Sequence, residues 1–355
     1  MLAQIGQTSD AAWRTFVTWF LAVFAGGVAL VFLFILLVDP YNVVAFSLPI
    51  DRHIVSISQR HMYPQIVRSG RFDSLLIGSS TSRLLDPQLL DKAFNARFAN
   101  LAMNAMRAWE QETMIDLFRR TVPSPKVLIV GLDGVWCDPR ADQNRSAYGF
   151  PEWMYDDNPW NDYSHLFNAA TAEIAVRLIG YKIGLYPERV RFDGYEVFTP
   201  PESDYDLAKV QRSFWGTRPP QPPPEASPPV LTQAERSALS LPAVSWLDAA
   251  LGKLPSSTRK ILAYMPVHVT AQAWPGTRDA DIEAECKARI AAVARKHGAT
   301  VVDWRISSPL TREDSNYWDG LHYRLPIAGR LASELAEAAL NHKPSIDGSY
   351  RLTVP

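Results

Sequence analysis

The chain begins with a long apolar run. From Phe16 to Val38 there are 23 residues without a charge, FVTWFLAVFAGGVALVFLFILLV. At a rise of 1.5 Å per residue, such a helix spans the roughly 30 Å hydrocarbon core of a bilayer with some tilt. It is apolar on every face, unlike the one-sided helix of a soluble core, and Trp13 and Trp19 stand near one end as interfacial aromatics do. A cleaved signal ends in small residues. Here Leu, Phe, Ile and Val run straight into Asp39 and Pro40, which predicts an anchor that stays attached.

After a juxtamembrane connection over 41–70, short aliphatic runs alternate with helical patterns. Ser74–Ile77, Phe98–Ala102, Val127–Gly131, Ile261–Met265 and Thr300–Val302 are bounded by turn residues, as buried parallel strands are. Leu89–Phe94, Ala105–Arg120 and Asp281–His297 have helical character, with Gly298 as a stop signal. Ile327, Leu331, Leu335 and Ala338 line one face of a closing helix whose start Pro326 marks. This order predicts an α/β fold with a three-layer, mostly parallel sheet. The expected division is a cytoplasmic tip and anchor over 1–40, the connection, and one domain over 71–345 with an insertion at about 138–254. The insertion opens on Trp153, Tyr155, Asp156, Asp157, Trp160 and Tyr163, whose rings suit a small core better than a sugar-stacking surface. It closes on RPPQPPPEASPP, residues 218–229, where the prolines favour extended, exposed chain.

Composition narrows the partners. With 36 Lys and Arg against 37 Asp and Glu, and no long basic run, the chain lacks the basic face that nucleic acid requires. Cys137 and Cys286 stand in no C-x-x-C spacing, so no zinc site is expected. Cys286 shares a helix face with Ile290 and Val293, and both thiols suit small buried positions; a bond between them cannot be read from the spacing.

Two stretches carry chemistry. The strand ending in LLIGSSTSR delivers Gly78, Ser79 and Ser80 to the carboxyl edge of the sheet, where open α/β folds bind ligands. Glycine there permits a tight turn, and a helix start just beyond offers amides to a developing anion. A GSS turn alone is weak, because serine is an ordinary turn residue. In NYWDGLHYR, Asp319 and His322 lie three residues apart on a loop before the last helix. A carboxylate so placed can fix the imidazole tautomer, leaving the other ring nitrogen free to take a serine proton. His268, after a strand ending in Pro266, stands at the same edge but suits a structural role. Arg83 could bind an anionic sugar, although an ion pair with Asp86 is the simpler expectation.

The ordered blocks GSS, NLAMNA, GLDG and DGLH resemble the SGNH/GDSL hydrolase superfamily, whose fold is flavodoxin-like. The resemblance implies Ser80 as nucleophile, with Ser79 where the family usually has Asp, and Asp319 and His322 as acid and base. It places the oxyanion hole at the Ser80 and Ala102 amides. The family's oxyanion Asn falls on Asp133, whose carboxylate cannot donate unless protonated, and Asn104 is the candidate replacement. A lost oxyanion donor costs roughly 3 kcal/mol of transition-state stabilisation. The amino-terminal helix, the GSS block with Arg83 and Asp86-Pro87, the MPVH stretch at Met265–His268 and the late D-x-x-H are similar to one membrane-anchored branch. That branch serves alginate-type O-acetylation and teichoic-acid D-alanylation.

These features lead us to expect an inner-membrane, single-pass bacterial protein whose periplasmic domain is a serine acyltransferase or esterase. It would act on acyl, chiefly acetyl, esters of an exported or cell-surface polysaccharide, with no metal or cofactor. A multipass membrane-bound O-acyltransferase is the implied partner. Two other readings are an inactive scaffold or glycan-binding partner of such an acyltransferase, and a lipid esterase.

Overall fold

The computed structural model describes residues 2–217, 221, 224 and 227–354, residues 2–9 through their backbone alone. Most of the proline-rich stretch expected to be extended at 218–229 thus lies outside the described residues. The chain folds as two compact units, one of Met1–Ser56 with Asp156–Arg189, the other of Ile57–Tyr155 with Val190–Pro355.

The first unit contains α1 (Leu2–Val38), α5 (Pro159–Leu166) and α6 (Ala169–Lys182). Within α1, Asp10–Val38 has a mean hydropathy of 3.0 over its most apolar window and is long and apolar enough to cross a membrane. Asp39 ends the helix: its backbone turns left-handed (φ +42°), and its carboxylate accepts from the amides of Val43 and Val44 at 3.1 and 2.9 Å. Arg52 donates from Nε to the Asp39 carbonyl at 2.6 Å, so the chain beyond α1 folds back on its end.

The second unit carries, in chain order, α2 (Gln59–Arg68), β1 (Ser74–Ile77), α3 (Pro87–Phe94), β2 (Phe98–Asn100), α4 (Ala108–Thr121) and β3 (Val127–Leu132). There follow α7 (Leu207–Trp215), α8 (Gln233–Ser237), α9 (Pro242–Gly252), β4 (Arg259–Tyr264), α10 (Arg278–His297), β5 (Thr300–Asp303), α11 (Pro309–Arg312), α12 (Leu325–Asn341) and β6 (Arg351–Val354). The sheet order is β2-β1-β3-β4-β5-β6, parallel except for β6, which runs antiparallel to β5. Leu76, Ile129, Ile261 and Val302 pack with Leu331 and Leu335 of α12 in one core cluster. Their strand neighbours Leu75, Leu128, Leu262 and Val301, which alternate to the other face, are equally buried, as helices on both sides of a parallel sheet require.

The insertion is not one body. Its segment 156–189 belongs to the first unit, while Tyr155, 1% exposed, donates its hydroxyl to the Arg60 carbonyl in the second. The aromatic stretch divides accordingly: Tyr155 is core, whereas Trp160 is 81% exposed. The second unit also continues past residue 345, because β6 completes the sheet edge.

In the 2-1-3-4-5 order the connections from β1 and β3 leave towards opposite faces, which opens a crevice at their carboxyl ends. Ser80 stands at the β1 side of that crevice.

Candidate active site

The turn after β1 is built around a side chain that the sequence did not single out. Ser82 is fully buried, and a Cβ on Gly78 or Gly131 would lie 2.4 or 1.9 Å from its Oγ. Both glycines therefore make room for Ser82 between β1 and β3. Gly78 has no left-handed backbone, so steric space rather than the expected turn conformation requires it. Asn100, at the end of β2, fastens the same turn: its Nδ2 donates to the carbonyls of Ser82, Arg83 and Leu85 at 3.1, 3.2 and 2.9 Å. Ser80, half-buried, opens the short 3₁₀ turn Ser80–Ser82.

The second half of the site is a hairpin. Tyr317 and Tyr323 pair antiparallel, and Trp318 donates its amide to the His322 carbonyl at 2.8 Å, so residues 318–322 form its tip. Asp319 Oδ1 accepts from the amides of Leu321 and His322 at 2.8 and 3.0 Å. The His322 Nδ1 lies 2.8 Å from Asp319 Oδ2, and its Nε2 lies 2.9 Å from Ser80 Oγ. With Nδ1 donating to the carboxylate, Nε2 is the acceptor that a serine hydroxyl needs. Burial alone would raise the Asp319 carboxyl, but the His322 ring and the two amides outweigh it and hold the group below its ordinary range. Asp319 is thus an anion able to stabilise an imidazolium.

Two tethers set the hairpin against the serine turn. The Tyr323 hydroxyl donates to the Thr81 carbonyl at 2.5 Å, and the His268 amide donates to the Gly320 carbonyl at 2.9 Å. The His268 ring, with no exposed surface, stacks on Phe214 at 3.9 Å and meets Asp314 Oδ1 from Nε2 at 3.1 Å. It supports the hairpin from behind rather than facing the crevice.

The structure moves the expected oxyanion donors. The Ala102 amide, assigned by resemblance, donates to Asn100 Oδ1 at 3.1 Å and is spent. Met103 donates to the Gly78 carbonyl and Asn104 to Gln59 Oε1, at 3.1 and 2.9 Å. Asn104 also accepts from Arg83 at its Oδ1, 2.5 Å away, so only its Nδ2 remains as a side-chain donor. Along this loop the Ala105 amide has no acceptor among the described residues, and its residue takes the left-handed conformation, φ +48°. Among the described residues the Ser80 and Ala105 amides and the Asn104 Nδ2 have no acceptor, and they are the donors this side of the site can offer an anion. Sequence gave no sign of Ala105, because alanine rarely takes that conformation.

Asp133 and Ser79, two positions at which the chain differs from the pattern it resembles, touch each other. The Ser79 hydroxyl donates to Asp133 Oδ2, while Oδ1 caps the turn Gly134–Cys137 by accepting from Val135 at 3.1 Å. Burial pushes this carboxyl up, although the Ser79 hydroxyl and Val135 amide oppose that. Both oxygens are turned to these donors. Ser79 and Asp133 are thus held to each other across the β1/β3 crevice.

Arg83 pairs with Glu196 rather than with Asp86. Asp86 is already engaged, capping α3 through the Gln88 amide at 3.0 Å and binding Arg191 at 2.5 Å. The Arg83 guanidinium lies 4.3 Å over the Phe198 ring, whose edge packs 5.4 Å from the His322 ring. The insertion thus lays residues 193–198 along the site. Gly194, at φ +83°, allows this, because any Cβ would fall 2.0 Å from the Asn100 carbonyl.

Cys137 and Cys286 form a disulfide, S–S 2.08 Å, joining the turn after Asp133 to α10. Among the described residues no group of three or more His, Cys, Asp and Glu side chains is placed to hold a metal. No protein-family model matches the chain, and no curated protein matches it significantly.

Proposed function

We propose that this chain is a membrane-anchored serine acyltransferase or esterase of the SGNH/GDSL type, acting outside the cytoplasm on acetyl or related acyl esters of an exported polysaccharide. The observation that carries the reading is the continuous line from Asp319 through the His322 ring to the Ser80 hydroxyl, with contacts of 2.8 and 2.9 Å. These groups come from opposite ends of the chain, 242 residues apart, which a local turn cannot produce by itself.

His322 Nε2 takes the Ser80 proton as Oγ attacks the acyl carbonyl, and the Ser80 and Ala105 amides face the developing oxyanion. The tetrahedral species collapses, the His322 proton passes to the leaving oxygen, and acyl-Ser80 remains. His322 then deprotonates a sugar hydroxyl or water, which takes the acyl group and restores serine. Transfer and hydrolysis share these residues and differ only in the acceptor.

The apolar helix within α1 supports anchoring, and the disulfide supports an oxidising compartment outside the cytoplasm. A helix that tethers the domain where polymer emerges favours transfer, with a multipass O-acyltransferase as acyl supplier. A second reading, an inactive glycan-binding scaffold, is favoured by the spent Ala102 amide and the acceptor-only Asp133. Full-length protein in detergent, treated with a fluorophosphonate probe and with p-nitrophenyl acetate, separates the two. Labelling and ester cleavage that vanish in Ser80→Ala establish the nucleophile. No labelling of the folded wild type would leave the scaffold.

A further inference from the structure

From Asp10 to Val31 nearly every residue of α1 is exposed; burial begins at Phe32 and is complete at Ile35 and Val38. The charge-free part of that stretch, Phe16–Val31, extends about 24 Å, and the preceding turn, with Arg14 and Asp10, carries the helix on into the far headgroup region of a bilayer. Phe32 therefore marks the level at which α1 exchanges lipid for protein.

Apolar side chains of the same unit gather at that level without being covered. The Leu48 amide donates to the Leu37 carbonyl at 2.8 Å, which folds the 44–48 loop against the last turn of α1. The Phe167 ring packs edge-on to Phe32 at 5.2 Å. Tyr163 joins these two attachments, stacking with Phe46 and lying beside Trp160, each at 6.3 Å. Yet Trp160 is 81% exposed, Phe46 59%, Phe167 47% and Leu48 44%. A cluster of this kind, left to water, is an association surface.

We infer that Phe46, Leu48, Trp160, Tyr163 and Phe167 form a collar that embeds in the interface of the same bilayer that α1 crosses. The inference rests on the proposed membrane span and adds to it a second, peripheral contact. Continuity decides the occupant: the collar is fixed by backbone and ring contacts to the turns where α1 leaves the lipid. Its composition fits the headgroup boundary, where Trp and Tyr accumulate because their rings are apolar at one end and polar at the other. Held at two heights, α1 in the core and the collar at the surface, this unit cannot swing freely about a single helix.

The test uses the full chain in phosphatidylcholine nanodiscs, with single cysteines at Phe24→Cys or Trp160→Cys carrying an environment-sensitive fluorophore. The native cysteines are bonded to each other and do not label. Position 24 should be quenched by bromines deep in the acyl chains. Position 160 should be quenched by bromines near the headgroups and shielded several-fold from aqueous iodide. A deep position 24 with a fully aqueous position 160 overturns the collar and leaves the span. Both positions aqueous overturns the span and the collar with it. Because Trp160 is so exposed, its replacement does not threaten folding.

Discussion

Tyr323 donates its hydroxyl to the Thr81 carbonyl at 2.5 Å, and each residue is the next in sequence after one member of the Ser80–His322 pair. The two halves of the site are thus fastened one residue away from the reacting atoms. Tyr323→Phe keeps the ring, 1% exposed among apolar neighbours, and removes the tether. An orphaned buried carbonyl costs on the order of 1–3 kcal/mol, so the variant should unfold at lower denaturant yet remain folded in buffer. Fluorophosphonate labelling of Ser80 should slow about tenfold if the tether sets the serine–imidazole distance. Lowered stability with an unchanged labelling rate would confine Tyr323 to a structural role.

The Ser79–Asp133 contact makes a prediction about pH. Burial raises the folded-state pKa of Asp133 above its ordinary 3.8, so between the two values the native state binds the proton more tightly than the unfolded chain. Stability from this group is present below the unfolded value and is lost as pH rises through the folded one. Asp133→Asn is nearly isosteric, keeps an oxygen for the Val135 amide and carries no charge to bury. It should exceed wild type in urea midpoint at pH 7, with the gap closing as pH falls towards 4. A gap that stays constant over that range would remove Asp133 as its source.

Strands were legible in sequence because each is a short aliphatic run between turn residues, and the starts expected at Ser74, Phe98, Val127 and Thr300 are those observed. The second strand ends sooner than expected, at Asn100, whose side chain turns to the serine turn, although the Leu101 and Met103 amides still donate to the Leu76 and Gly78 carbonyls. β6 was missed: in RLTV the exposed Arg351 and Thr353 alternate with Leu352 and the buried Val354, and the strand is paired only along one antiparallel edge, so it carries no apolar run. Ser80, Asp319 and His322 were legible through local blocks, and the structure brings them together. Asn100, Ala105, Tyr323 and Phe198 were not. Their parts in the site follow from contacts between distant segments or from backbone conformation, neither of which residue spacing records. The same holds for the Cys137–Cys286 bond and for the Ser79–Asp133 contact, each of which joins two positions far apart in the sequence.

The disulfide closes 149 residues of chain. Chain-entropy arguments give such a loop roughly 5 kcal/mol of stabilisation, an upper figure because strain and residual unfolded structure reduce it. A Cys137→Ala, Cys286→Ala double variant should therefore show a markedly lower denaturant midpoint, and reductant should bring wild type towards the same value. Ser80 labelling at 25 °C should be little changed, since neither sulfur contacts the triad. Coincident midpoints for oxidised wild type and the double variant would show that the bond contributes nothing.

Asn100 offers the sharpest separation between a structural amide and its charged analogue. Its Nδ2 faces three carbonyls of the serine turn, while Oδ1 holds the Ala102 amide, and the residue is 1% exposed. Asn100→Ala leaves those groups without a partner and should cost about 1–3 kcal/mol. Asn100→Asp keeps the size but sets a buried carboxylate oxygen against three carbonyl oxygens, which no proton-free geometry satisfies. It should be the more damaging change at pH 7, by 2 kcal/mol or more on the scale of unpaired buried charges, and should recover partly as acid protonates it. Because the turn carries Ser80, both variants should label more slowly than wild type even where they remain folded. Equal stability for the Ala and Asp variants across pH 4–7 would mean that Nδ2 does not hold the turn, and the fastening would then have to come from Tyr323 alone.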